Sequence, residues 1–247
     1  MSGHNKWSTI KRKKGVADAK RSKIFSKIIK EISIAVRESG SDAEGNPRLR
    51  LAISNAKGAN MPKENVQRAI NKAAEKNAAS LVEANYEGYA THGIAIFVEC
   101  LTDNQQRTLS NVRSYFTRYN GNLGTKGSLN FIFDRKGIFT VPEGNLNPDD
   151  FEMEMIDAGA EDISHENGFY TITTHVEDFG SMMKKLESLK IQPENAQLQR
   201  IPKETVTLNV EDAKKVLKLI DMIEEDDDVQ NVYHNLEFTD DLVNAME

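Results

Sequence analysis

The chain has 247 residues, 38% of them hydrophobic and 28% charged, with a net charge of −6. This composition is typical of soluble globular proteins, and no apolar stretch approaches the roughly 20 residues of a membrane span. The single cysteine, Cys100, excludes an internal disulfide framework, and with five scattered histidines it argues against a structural zinc site. Because the N-terminal segment lacks the apolar region of a signal peptide, we expect a cytoplasmic location.

Positive charge is concentrated in the first 80 residues. They hold 18 Lys and Arg against 7 Asp and Glu, a net of +11, which leaves −17 for residues 81–247. A localised positive field attracts polyanions, while the rest of the surface repels them. The sequence therefore predicts a basic nucleic-acid-binding module joined to an acidic body.

Three helices are predicted in the basic module. Residues 16–37 carry apolar side chains at helical spacing, including Ile24, Ile29 and Ile32, with lysines on the opposite arc, so we expect the apolar face to be packed and the other face to be positive. A second helix begins at Asn46 and Pro47 and ends near residue 58, and a third begins at residue 62.

Downstream of residue 80 the apolar period changes from 3.6 to 2, and β-branched residues appear in short runs. These runs predict strands at 86–89, 94–101, 129–133, 138–141, 169–174, 197–201, 205–208 and 229–236, with helices at 104–119, 151–158, 176–189 and 210–223. The elements suffice for two ferredoxin-like α+β domains. We predict a helical domain (1–80), a discontinuous α+β domain (81–135 and 203–247) and an α+β domain inserted between its parts (136–202).

The basic run between residues 6 and 14, followed by the first helix, predicts the main nucleic-acid contact. Lysine and arginine bind phosphate with release of counterions, and an indole can stack on an unpaired base. A single charge run is more often a solvated face, and Trp7 could equally cap the helical core. The candidate binding residues are Lys6, Lys11, Arg12, Lys13, Lys14, Lys20, Arg21, Lys23, Lys27 and Lys30. Possible additional contacts are Trp7, Arg48, Arg50, Lys57, Lys63, Arg68, Arg107, Arg113 and Lys126.

A glycine-rich loop at residues 121–128 superficially resembles a phosphate cradle. It differs from the P-loop because Lys126 precedes Gly127 and a strand is predicted to follow. We interpret it as a glycine turn; the alternative is a nucleic-acid contact through Lys126 and free backbone N–H groups.

Catalytic motifs are absent from the sequence, so we predict no enzyme, no metal and no cofactor. Each histidine is expected in a turn or on the surface, and the acidic run at residues 224–228 is expected to be a solvated turn rather than a cation site. A small-molecule enzyme using His92 or Asp103 is the least favoured alternative.

Several ordered motifs together closely resemble the YebC family, over nearly the whole chain. They are Gly3-His4-Asn5-Lys6-Trp7, Arg48-Leu49-Arg50, Asn60-Met61-Pro62-Lys63-Glu64-Asn65, Tyr86-Glu87-Gly88-Tyr89, and Leu101-Thr102-Asp103-Asn104 with Arg107 and Val112-Arg113. Two glycine pairs of the family pattern are present here as Ser39-Gly40 and Asn120-Gly121, and we expect altered loop detail without loss of function.

The resemblance implies a helical domain followed by two α+β domains, and nucleic-acid binding without catalysis. Members of the family are described as DNA-binding transcription regulators and as ribosome-associated translation factors; the family includes a mitochondrial translational activator. The partners it implies are ribosomal or transfer RNA, possibly on the ribosome, or promoter DNA, with no membrane and no small-molecule substrate. On physical grounds we favour RNA, because the helices show no helix-turn-helix recognition pattern.

Overall fold

A computed structural model describes residues 17–75 and 80–246, with side chains from residue 21 onward. The described residues form two compact units, each discontinuous in the chain. The first comprises 17–20, 80–134 and 200–246, and the second comprises 21–75 and 135–199.

Three helices form at the predicted places in the basic module: α1 (Ala17–Ser39), α2 (Pro47–Gly58) and α3 (Lys63–Ala74). Asn46 determines the corner between α1 and α2. Its side chain accepts a hydrogen bond from the Leu49 amide, and its Nδ2 donates to the carbonyls of Ala35 and Gly40 at 2.7 and 2.8 Å. Because Asn46 is only 1% exposed, these bonds are shielded from water and join the two helices.

The packed face of α1 is smaller than predicted. Ile24 and Ile29 are 49% and 38% exposed, whereas Ile32 is fully buried in the core shared by the three helices. Ile28, directly before Ile29, packs against that core, so the packed stripe of α1 is narrower than the predicted one and Ile29 lies outside it. The prediction that Ile24 and Ile29 are buried is therefore wrong.

The rest of the chain contains two sheets with their helices. In chain order the elements are β1 (Val82–Tyr89), β2 (Ala95–Thr102), α4 (Gln105–Arg118), β3 (Asn122–Leu123), β4 (Phe133–Pro142), α5 (Pro148–Asp157), β5 (Ala160–Glu166), β6 (Phe169–Thr174), α6 (Phe179–Ser188), β7 (Asn195–Pro202), α7 (Val210–Glu225), β8 (Val229–His234) and α8 (Asp240–Asn244). The strand orders are β3-β1-β2-β8 and β5-β6-β4-β7. The predicted α+β class, with helices first and two α+β domains after them, is confirmed.

Both faces of the first sheet are covered. Alternate residues of β2, such as Ile96 and Val98, pack with α4 and α7, while Ala95 and Phe97 pack on the other face with Leu129. This double burial explains why β2 is a continuous apolar run rather than an alternating one.

The second sheet follows the β-α-β-β-α-β sequence of a ferredoxin-like domain, from β4 to β7. Phe139 of β4, Met155 of α5 and Met182 of α6 are fully buried in its core. Because β1, β2 and β3 precede this sheet in the chain and β8 follows it, our proposal of an inserted domain at 136–202 rests on the strand order.

Helix α2 is joined to the second sheet within the same unit. Asn55 Nδ2 donates to the Ala196 carbonyl at 2.9 Å, and Asn55 Oδ1 accepts from the Ala196 N–H at 2.8 Å. The side-chain amide thus makes the pair of hydrogen bonds that a neighbouring strand would make. Gly58 lies so close to the chain before β7 that a Cβ there would be 2.1 Å from the Glu194 carbonyl oxygen. Glycine is therefore required at this contact.

Several predicted elements differ from the structure. Residues 129–133 are a turn up to Phe133, where β4 begins, and the strand predicted at 205–208 is a single parallel bridge between Val206 and Leu236. The strands β3 and β5 and the helix α8 were not predicted. Within the described ranges, no helix is both long enough and apolar enough to cross a lipid bilayer.

Candidate nucleic-acid interface

Part of the predicted interface lies outside the described residues. Lys6, Trp7, Lys11, Arg12, Lys13 and Lys14 precede residue 17, and the side chain of Lys20 is also outside the described part. Their role remains a prediction from the charge pattern.

The described cations of α1 line the predicted arc of the helix. Lys23, Lys27 and Lys30 recur at the spacing of one helix face and are half-buried. Arg21 is exposed, with its guanidinium 5.6 Å from the centre of the Phe25 ring and 3.5 Å from the Asn60 carbonyl oxygen. A cation over an aromatic face is held in place and keeps its charge.

Two predicted contacts on α2 are engaged in internal bonds. Arg48 pairs with Glu31 at 3.2 Å and with Glu38 at 3.0 Å, which ties α2 to α1. Arg50 donates to the backbone carbonyl of Glu44 at 3.1 Å. Arg48 therefore contributes less positive field than its formal charge suggests, since two carboxylates lie against it.

Three other cations of the module are exposed. They are Lys57, Lys63 and Arg68. None of the three makes an ion pair with another described residue of its unit, which comprises 21–75 and 135–199. Lys63 is the first residue of α3, whose N-terminus has no side-chain cap. An ammonium there adds to the positive end of the helix dipole. It destabilises the helix by about 0.3–1 kcal/mol and favours a bound anion by a similar amount.

The exposed face of α3 carries several polar side chains besides the predicted contacts Lys63 and Arg68. Gln67, Arg68, Asn71 and Lys72 are all exposed, and Gln67 donates to Asn71 at 2.9 Å. Glutamine, asparagine and arginine are the residue types that read base edges in duplex DNA. These side chains lie on a single helix, and the expected absence of a helix-turn-helix recognition pattern stays a prediction.

The glycine loop at 121–128 is organised by an internal carboxylate. Glu87 is 4% exposed and accepts hydrogen bonds from the N–H groups of Gly127 and Leu129, both at 2.7 Å. The Glu87 carbonyl accepts from the Gly124 N–H, also at 2.7 Å. The N–H groups of Gly124, Gly127 and Leu129 are therefore not available to a phosphate, while Lys126 is exposed on the loop and its contact with nucleic acid stays a prediction.

The acidic run at 224–228 is only partly solvated. Asp228 is 6% exposed and accepts from Thr102, Thr108 and Arg107, the last at 2.7 Å. Its carboxylate therefore joins β2, α4 and the start of β8, which corrects the prediction of a solvated acidic turn. Arg107, a candidate nucleic-acid contact, also pairs with Asp103 at 2.7 Å.

The two remaining candidate contacts are exposed: Arg113 lies on α4 and Lys126 in the glycine loop. His92 occupies a turn, at φ 63°, as predicted, but His234 is fully buried in β8, so the prediction of a surface position is wrong there. Among the described side chains, no group of three or more His, Cys, Asp or Glu could hold a metal ion.

Tyr115 gives the first unit a defined alkaline sensitivity. Burial, and then its hydrogen bond to Asp226 at 2.9 Å, raise the pKa of Tyr115 to about 12. Since an unfolded tyrosine has a pKa near 10, the interaction stabilises the fold fully below about pH 10 and is lost as pH rises towards about 12. We expect the free energy of unfolding to fall over this window, and Tyr115→Phe to remove part of the fall. Urea unfolding at pH 9, 10 and 11 measures the free energy of unfolding of the wild type and of Tyr115→Phe. If it falls equally with pH in both, Tyr115 is not the group responsible.

These features define a class: an α+β protein with a cationic helical module and two sheet domains. Two family models match, "TACO1/YebC protein N-terminal domain" over residues 5–76 and "TACO1/YebC second and third domain" over residues 81–236. The chain belongs to the TACO1/YebC family, which confirms the resemblance seen in its motifs.

Individual relatives match along nearly their full length. A "probable transcriptional regulatory protein" of Amoebophilus asiaticus is 52% identical and covers 96% of this chain and 98% of its own. A protein of the same name from Geotalea uraniireducens is 47% identical over the whole of both chains. The crystal structure of a conserved hypothetical protein from Aquifex aeolicus is 43% identical, with a TM-score of 0.82, and covers 90% of this chain and 93% of the other.

Proposed function

We propose that this protein is a non-enzymatic regulator of gene expression that binds nucleic acid through its basic helical domain. It acts as an RNA-associated or ribosome-associated translation factor. The observation that carries the proposal is the separation of charge, +11 in residues 1–80 against −17 in the rest. The names of the full-length relatives support the regulatory class.

Local geometry supports a phosphate-binding role for the helical domain. Lys57, Lys63 and Arg68 are exposed there without an internal carboxylate partner among the described residues. Free cations of this kind release counterions when they meet phosphates, and that release drives binding. An acidic remainder repels long duplexes but suits a site where phosphate is local and the neighbouring proteins are basic, as on a ribosome.

A DNA-binding transcription regulator is the second candidate, favoured by the exposed face of α3. Gln67, Arg68 and Asn71 there could contact base edges in a major groove. A transcription regulator of this kind must bind one DNA duplex sequence more tightly than others.

Equilibrium binding to labelled nucleic acids tests both candidates. Fluorescence anisotropy would follow a structured RNA and a DNA duplex of matched length, each in several sequences, between about 50 and 200 mM salt. We expect tighter binding to RNA, with an affinity that falls steeply with salt. Tighter binding to one duplex sequence than to others would favour transcription, and no binding to either polymer at low salt would overturn the proposal.

A further inference from the structure

Phe131 is exposed in a part of the chain that is otherwise well packed. At 70% exposure it is the most exposed of the large hydrophobic side chains in the described residues, above Met153 at 63% and Ile156 at 62%. Its neighbours two positions away, Leu129 and Phe133, are 0% and 5% exposed in the core beneath the first sheet. The chain is thus anchored on both sides of one outward-facing aromatic ring.

Buried groups hold the backbone of this turn in place. Glu87 accepts from the N–H groups of Gly127 and Leu129, and the Ile132 N–H donates to the Leu129 carbonyl at 3.0 Å. The Ile132 carbonyl in turn accepts from the Lys203 N–H at 2.9 Å. A side chain on such a turn loses little further entropy when it binds a ligand.

The exposed side chains that flank Phe131 in the sequence are polar, and the carboxylate among them, Asp134, pairs with Lys203 at 3.4 Å. Lys126 and Asn130 are exposed on the same turn, and neither makes a side-chain hydrogen bond or ion pair within the described residues. Aromatic rings stack on unpaired nucleobases and ammonium groups contact phosphate, so an exposed ring on the same turn as a lysine and an asparagine suits single-stranded RNA.

We propose that Phe131 stacks on an unpaired RNA base while Lys126 contacts the adjoining phosphate. This contact lies in the first structural unit and is additional to the basic helical domain. It rests on the proposed function only in requiring that the protein binds RNA.

A tryptophan reporter at the site gives a direct test with the full-length chain. In a W7F background, F131W supplies the only tryptophan, and single-stranded RNA of about 30 nucleotides should quench its fluorescence with the same Kd that anisotropy reports. The same RNA with abasic sites keeps its phosphates but should not quench. Equal quenching by the abasic RNA, or none by the normal RNA, would overturn the stacking contact.

Alanine variants separate stacking from charge. F131A should weaken binding about tenfold without altering the salt dependence, because stacking releases no counterions. K126A should lower the slope of log K against log salt by about 0.7. M153A, which removes a similarly exposed apolar side chain from α5, is the matched control and should bind as the wild type does.

The outcomes also separate this inference from the proposed function. If wild type binds RNA and F131A binds it equally well, the stacking contact is wrong and the basic domain alone carries binding. If wild type binds no RNA, both proposals fail.

Discussion

Changing Lys11, Arg12, Lys13 and Lys14 together to glutamate is expected to weaken RNA binding at least about 100-fold at roughly 0.1 M salt, with the fold intact. Four cations that each neutralise a phosphate are replaced by four anions that repel it, and the slope of log K against log salt should fall by about 3. Anisotropy across a salt series measures the affinity and the slope together. These residues lie outside the described part of the chain, so the expectation rests on the sequence.

A matched variant controls for the change in net charge. Lys184, Lys190, Lys214 and Lys218 are all exposed on the acidic part of the chain, and changing them to glutamate alters the net charge by the same amount. We expect this variant to lose less than about threefold, since charges beyond a Debye length of about 10 Å are largely screened. Equal losses in the two variants would mean that net charge, and not the basic segment, governs binding.

Removing the Glu87 carboxylate should cost about 3–5 kcal/mol of folding stability in the first unit. Glu87→Ala leaves the N–H groups of Gly127 and Leu129 without their acceptor, and hydrogen bonds to a charged group are about twice as strong as neutral ones. Urea unfolding measures the loss, and hydrogen exchange should show faster exchange at residues 124–132 before the rest of the unit opens.

The same substitution at Glu83 is the control, because Glu83 is exposed on the same strand. We expect a loss of less than about 1 kcal/mol there, because the interactions of an exposed carboxylate are screened by water. Glu87→Gln should be intermediate, since an amide keeps one acceptor oxygen but turns a donor towards the second N–H group. A Glu87→Ala protein as stable as wild type would show that this carboxylate does not hold the turn.

Local signals predicted the helical module and most of the strands. Pro47 at the start of α2 and the apolar period of α1 are short-range patterns, and both helices form where these patterns place them. The hairpin of β5 and β6 also had a signal that we overlooked: Asn167 and Gly168, both at positive φ, form its two-residue turn.

Other features depend on contacts between distant residues. Residues 129–133 are rich in aromatic and β-branched side chains, which favours a strand, but Glu87, about forty positions earlier, holds the chain in a turn by accepting the Leu129 N–H. Arg107 and Asp228 are 121 positions apart, so no local pattern indicates that this candidate contact is paired. The sequence therefore predicted the distribution of cations, and only the structure distinguishes exposed ones such as Lys57 from paired ones such as Arg48.

Sedimentation of cell lysate through a sucrose gradient tests the proposed translation role most directly. The protein would be followed by immunoblot at low and moderate salt, with and without ribonuclease, beside the variant reversed at Lys11, Arg12, Lys13 and Lys14. We predict co-migration with ribosomal particles that ribonuclease treatment and the reversed variant both abolish. Migration only at the top of the gradient, with retention of the protein by promoter DNA, would contradict the translation role and favour transcription.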